Sequence, residues 1–376
     1  MRARASHTNS AMLKGYLPEG ATVKGLDVNA IIERLIEGGV ARVVALGAGA
    51  ARRALEGRVW VTDTAGATAT YFDLASLTKP MTALAVGWSG LDVRAPLGSL
   101  VAEARGTASA DVPLELLLAH RAGLEAHLPL FAPLLAGETV DVGASLARAA
   151  DARRADAAGP APTDGFAPVY SDLGYMLAGA ALARHAGTSD AGEAIERIVV
   201  ERLGLADVLG TSRALAARVA AFDSHVAPTE EVPWRGGAVR AEVHDENAWA
   251  LTGRGGSGHA GMFGTVAGVL AFGAAALEAV TDDPRLSWMT RPRPGGTLLA
   301  GWDAKSEEGS SAGTRMGPRS FGHLGFTGTS VWIDPDARTV VTLLTNRVHP
   351  TRENILIRAA RPGVHDALFE RALGLR

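Results

Sequence analysis

The chain has 376 residues, of which 47% are hydrophobic and 20% charged, with a net charge of −3 and no cysteine. That length and apolar fraction supply a large buried core and exclude a disordered chain. The charge balance gives no electrostatic reason to expect nucleic acid or an anionic membrane surface as a partner, and the lack of cysteine excludes disulfides, thiolate metal sites and cysteine nucleophiles.

Residues 1–15 are expected to form a flexible start. They carry positive charge with no apolar run behind it, so no secretory signal is present as written and the expected location is cytoplasmic; an upstream start would make the periplasm the alternative. No stretch reaches the length of a membrane span. "DVNAIIERLIEGG" (27–39) reads as an amphipathic helix capped by Asp27, with Ile31, Ile32, Leu35 and Ile36 on its apolar face and two glycines as its stop. "VARVVALGAGA" (40–50) and "GRVWVTDTAG" (57–66) read as two strands, with "LGAGAA" (46–51) more naturally a turn than a cofactor loop. From Ser76 to Trp88 the apolar residues Met81, Leu84, Ala85 and Trp88 recur at helical spacing, which places Pro80 in the first turn. Residues 112–220 are rich in Ala, Leu and Arg with helical periodicity. "LGFTGTSVWIDPDARTVVTLLTN" (324–346) predicts a hairpin turning at 334–336, and the chain closes as helix. The expected division is an α/β unit built from both chain ends (16–86 and 235–376) around a mostly helical unit (87–234).

The chemistry is carried by "FDLASLTKPMTALAV" (72–86). Only Lys14, Lys24, Lys79 and Lys305 are lysines among 37 basic residues, so a lysine three positions after Ser76 stands out. On a helix, positions i and i+3 share a face. A serine needs an adjacent base to act as a nucleophile, and a lysine whose pKa is lowered by burial or a nearby cation can be that base. Arginine cannot, because it does not deprotonate. A serine at a helix start also offers a free backbone N–H for an oxyanion. Taken alone, Ser-x-x-Lys fits an exposed helix start with a solvated lysine better than it fits a catalytic pair. Two further stretches accompany it: "PVYSDLGYMLAG" (168–179), with Tyr170 just before a helix and Asp172 two residues on, and "FGHLGFTGTSVWID" (321–334), with His-x-Gly at a strand start.

This ordered set resembles the serine beta-lactamase and penicillin-binding-protein superfamily, nearest its class C-like esterase and peptidase members. The resemblance extends through "LLLAHRAGLEAH", "VHDENAWAL", "GSGHAGMFGT" and "LLTNRVHP", and so covers nearly the whole chain from residue 40. It implies a beta-lactamase-like α/β (α+β type) fold, an antiparallel sheet flanked by helices with a helical subdomain. It implies Ser76 as acyl-forming nucleophile, Lys79 and Tyr170 as shared base with the phenol lowered in pKa by the ammonium, and His323 at the third-motif cation position. The oxyanion would be held by the N–H groups of Ser76 and Phe326. Asp172, Gly325, Thr327, His259 and His244 are expected at the substrate. Asp172 stands where Asn is usual and Leu324 where Thr is usual, and both weaken the case for lactam antibiotics. The implied activity is hydrolysis of an amide or ester, a peptidoglycan-derived peptide or a small ester, without metal or cofactor; oligomeric state is left open.

Two alternatives accompany this reading. One is a relative that keeps the cleft for binding only. The other is a hydrolase using Ser311 of "GSSAG" (309–313) with Asp334 and His349, although that loop lacks the strand and helix a nucleophile elbow needs. "GRGGSG" (253–258) has no preceding strand for a dinucleotide role. His120 and His127 are expected in packing and turns.

Overall fold

The computed structural model describes residues 27–54 and 57–376; the expected flexible start, residues 1–15, lies outside them. Helix α1 (Val28–Glu37) begins where the Asp27 carboxylate accepts the Asn29 N–H at 3.0 Å, and it buries Ile31, Ile32 and Leu35. Ile36, expected on that face, lies at the edge of the stripe and is 44% exposed.

Strands β1 (Val44–Ala54) and β2 (Gly57–Gly66) follow, then β3 (Phe72–Asp73), α2 (Thr78–Ser89), α3 (Val142–Asp151) and α4 (Asp172–Ala186). The second half contributes β4 (Leu209–Thr211), α5 (Glu246–Thr252), β5 (Met262–Gly264), α6 (Val266–Asp282), β6 (Asp303–Ala304), β7 (Phe321–Leu324), β8 (Ser330–Asp334), β9 (Thr339–Thr345) and α7 (Ile357–Leu373). The main sheet runs β2-β1-β9-β8-β7-β6 and every neighbouring pair is antiparallel. Both chain ends therefore build one sheet, as the α/β reading requires.

The sheet is buried on both faces, and its strands show why. Along β9, Val341 and Leu343 pack with α1 and α7, whereas Val340 and Leu344 join the core shared with α6. This is the period-2 alternation of a strand between two helical layers. The same apolar core continues through α2 and α4 into the helical region. Helix α2 is not one-faced as its spacing suggested: every residue from Thr78 to Val86 is buried. A helix surrounded by protein needs no polar stripe.

"LGAGAA" is not a turn; it lies within β1. A Cβ on Gly47 would stand 2.8 Å from both Leu270 Cδ1 and Val266 Cγ2. The glycine is there because α6 approaches the strand too closely for a side chain. A second, three-stranded sheet in the order β3-β5-β4 pins the approach to Ser76, with Phe72 paired to Gly264 and Asp73 to Phe263. No described helix is long and apolar enough to cross a membrane.

Gly47→Val forces α6 off the sheet and should lower unfolding free energy by about 1–3 kcal/mol, read from the urea midpoint. A variant as stable as the parent would contradict the close packing described here.

Candidate active site

Ser76 does not sit on the first turn of an α-helix but in the 3₁₀ turn Ala75–Leu77 that leads into α2. That turn is reached through Ala75 in a left-handed conformation, φ +47°, which an alanine adopts only when held there. Asp73 does the holding. Its buried carboxylate accepts the Ala75 N–H and the His244 N–H, each at 2.7 Å. Burial, only partly offset by the two N–H groups, pushes the Asp73 carboxyl up to about 6. Within the turn, Leu77 N–H goes to Leu74 C=O and Thr78 N–H to Ala75 C=O, leaving the Ser76 N–H free of the turn's own bonds.

The segment containing the third motif closes over this turn. Gly325 N–H donates to Thr329 C=O at 2.8 Å and Gly328 N–H to Gly325 C=O at 3.1 Å. The Thr327 hydroxyl donates to Asp73 C=O at 2.7 Å and the Thr329 hydroxyl to Leu74 C=O at 3.1 Å. A Cβ on Gly325 would collide with Thr329 Oγ1 and come 2.7 Å from Leu74 O, so the position admits only glycine. These bonds tie the Phe326 loop to the segment that leads into Ser76, and the Arg347 guanidinium fixes the same loop by donating to Phe326 C=O at 2.8 Å. Neither the Ser76 N–H nor the Phe326 N–H enters the hydrogen bonds of its own turn.

Lys79 is wholly buried. Its ammonium donates to Ser76 Oγ at 2.8 Å, to Asp172 Oδ1 at 2.7 Å and to His259 C=O at 3.5 Å, and lies 4.6 Å from the centre of the Tyr170 ring. Burial pulls the Lys79 pKa down, but the Asp172 carboxylate and Tyr170 outweigh it and the net displacement is upward. The sequence reading expected a lowered lysine; the carboxylate at position 172 reverses the sign. Tyr170 is likewise displaced upward, because burial and the Asp172 charge exceed the pull of Lys79 and Ser76 on its phenolate. The phenol lowered by the ammonium is therefore also corrected: at neutral pH the group holds an ammonium and a neutral phenol.

Tyr170 is fixed by His120. Val169 N–H donates to His120 C=O at 3.1 Å, Ser171 N–H to His120 Nδ1 at 2.9 Å, and the two rings stack at 4.6 Å. Ser171 then caps α4, with its hydroxyl accepting Gly174 N–H, which places Asp172 in the first helical turn.

His323 lies near the end of β7 rather than at a strand start, buried behind Tyr170 with ring centres 6.0 Å apart. Burial and the Lys79 charge push its imidazole down to about 3. Its Nδ1 faces Leu324 C=O at 3.0 Å, which fixes the proton on Nδ1 and leaves Nε2 an acceptor. His323 is therefore neutral near pH 7 and does not serve as the expected cation.

The cleft over Ser76 measures about 770 Å³ and is lined by Ser76, Tyr170, Asp172, His244, Asp245, Gly325 and Phe326 among others. Two residues expected at the substrate are elsewhere. His259 is 1% exposed, its ring held between Ser257 Oγ and Asp245 Oδ1 at 2.8 Å each, and Thr327 is buried with its hydroxyl on Asp73. His244 stacks on Phe326 and has neither ring nitrogen paired. The Ser311 alternative does not assemble. Asp334 accepts the N–H groups of Gly317, Asp336 and Ala337, and His349 Nδ1 is at Thr229 C=O.

Sequence reasoning missed the arginines of the cleft: Arg347, Arg352, Arg358 and Arg361. Arg352 pairs with Glu230 and Glu246. Arg347 and Arg361 donate only to backbone carbonyls, and the Arg361 Nε, although buried, has no partner. Burial, with Arg347 and Arg358 alongside, pushes Arg361 down to about 9. In an arginine-rich chain no single arginine is a signal.

The comparisons with known proteins agree with this architecture. EstCE1, described as a hydrolase with promiscuous acyltransferase activity, superposes with a TM-score of 0.62 at 19% identity over 96% of this chain and 98% of its own. A class C beta lactamase from Rhodobacter sphaeroides gives 0.60 at 17% identity over 87% and 95%. At such identities the likeness establishes the fold. A Salmonella gallinarum protein named "Putative D-alanyl-D-alanine carboxypeptidase" is 33% identical over 118 residues, which is 29% of this chain and 27% of that protein. The match thus spans about a quarter of the curated relative. The Beta-lactamase family model matches residues 32–363, nearly the whole of the described chain, and the protein belongs to that family.

Proposed function

We propose that the protein is a serine hydrolase that cleaves an amide or ester through an acyl-enzyme on Ser76. The observation that carries this reading is the buried Lys79 ammonium joined to Ser76 Oγ at 2.8 Å on the floor of an open cleft. In the reactive form the Lys79–Tyr170–Asp172 group has lost one proton. Ser76 Oγ attacks the carbonyl carbon while its proton passes to Lys79, and the oxyanion is held by the N–H groups of Ser76 and Phe326. Tyr170 gives its hydroxyl proton to the departing nitrogen or oxygen, and Lys79 restores it. Water then attacks the ester, delivers its proton to the same pair and returns Ser76 to its hydroxyl. The kinship with proteins named as carboxypeptidases and carboxylesterases supports this class. Arg347, Arg358 and Arg361 make a carboxylate-bearing peptide, such as a D-alanyl or muropeptide fragment, a better fit than a small neutral ester.

A fluorophosphonate probe followed by intact mass should add one label to the parent and to Ser311→Ala, and none to Ser76→Ala. Lys79→Arg should lower ester turnover by about 10²–10⁴-fold, since arginine keeps the charge but transfers no proton. A label that survives Ser76→Ala removes the assignment; no label and no turnover in the parent favours a binding protein.

The pH profile follows from the raised Lys79 pKa. Activity needs the form with one proton fewer, so kcat/KM for an uncharged ester should climb with pH above 7. Asp172→Asn removes the main charge that lifts Lys79, so the climb should move to lower pH. A profile with the same midpoint in both proteins would contradict the role given to Asp172.

A further inference from the structure

Two flanks of the cleft carry opposite charge. One is tied to Ser76 through Lys79. It presents Asp172, 22% exposed, and Asp245, 24% exposed, while Lys79 is wholly enclosed. Asp172 meets the ammonium through the 2.7 Å bond, whereas Asp245 is held below the usual range against its burial chiefly by His259, with a smaller pull from Lys79. The other flank begins at the turn after His323. There Arg361 donates to Gly325 C=O and Thr329 C=O, with Arg347 and Arg358 beside it. Asp172 and Asp245 thus line the same cleft as Arg347, Arg358 and Arg361.

Asp172 has one oxygen to offer a ligand. Oδ1 is engaged by Lys79, whereas Oδ2 has no hydrogen-bond partner among the described residues; His127 Nδ1 stands 4.0 Å from it, beyond hydrogen-bond reach. A carboxylate only accepts, so it repels the carbonyl oxygen of an acylated amine and attracts an N–H donor, best of all an ammonium. Its place is fixed as well: Asp172 and Ser76 share one Lys79 nitrogen, which suits an amine on the carbon next to the reacting carbonyl.

Resting on the hydrolase reading above, we infer that Asp172 selects substrates with a free amine beside the scissile carbonyl, so that the acyl group transferred to Ser76 is an unblocked aminoacyl group. The arginine flank then receives a carboxylate on the far side of the scissile bond. The preferred substrate class is a short peptide, or aminoacyl ester, with an open amino end.

The test compares alanine methyl ester with N-acetylalanine methyl ester, both enantiomers of each, by kcat/KM in the parent, Asp172→Asn and Asp172→Glu. The parent should prefer the free amine by about tenfold or more. Asp172→Asn should bring that ratio close to one or invert it, and Asp172→Glu, which keeps the charge, should retain part of it. Because the ratio is taken within each variant, a general loss of activity at this position cancels. Equal or better use of the N-acetyl ester by the parent overturns the inference, as does an unchanged ratio in Asp172→Asn, or fluorophosphonate labelling of Ser76 with none of these esters consumed. If Ser76 is neither labelled nor acylated, the hydrolase reading falls and takes the inference with it.

Discussion

The site depends on one buried ammonium. Lys79 has no exposed surface, and an unpaired charge there would be expelled or neutralised. It stays because three acceptors from different parts of the chain meet it: Ser76 Oγ, Asp172 Oδ1 and the His259 carbonyl. Each acceptor is in turn fixed by local structure. Asp172 is set by the capped start of α4, where the helix dipole also favours a carboxylate, and His259 by its bonds to Ser257 and Asp245. The lysine thereby locks Ser76, the helical region and the glycine-rich loop into one geometry.

A second set of bonds joins the two turns beside it. Asp73 keeps Ala75 in its left-handed conformation while carrying Thr327 on its carbonyl, so the Ser76 turn and the 325–329 turn share an anchor. Arg347 and Arg361 tie the same loop by its carbonyls. The Ser76 turn and the Phe326 loop are therefore held in place by backbone bonds and buried side chains; donors fixed in advance are what the proposed oxyanion role requires.

Much of this was legible in the sequence because its signals are local. Asp27 and the apolar spacing after it wrote a helix, the alternating residues around the 334–336 turn wrote a hairpin, and the Ser-x-x-Lys spacing put the Ser76 hydroxyl beside Lys79. What escaped was whatever depends on the surroundings of a residue. Gly47 looks like a turn residue until α6 is packed against the strand. His323 looks like a cation until its burial is known. Lys79 looks like a lysine with lowered pKa until the carboxylate at 172 is placed 2.7 Å away. The direction of a pKa shift is a property of neighbours that sequence spacing does not reveal.

The central claim is that Lys79 rests as an ammonium held by Asp172 and linked to Ser76. The chain has four lysines, so lysine-selective isotope labelling gives a spectrum with four side-chain signals, and Lys79→Arg identifies the one that matters. The account predicts that the Lys79 signal titrates above the value of an ordinary lysine in the parent and moves down in Asp172→Asn. A Lys79 signal that titrates below the ordinary range in the parent, or is unmoved by Asp172→Asn, would contradict it.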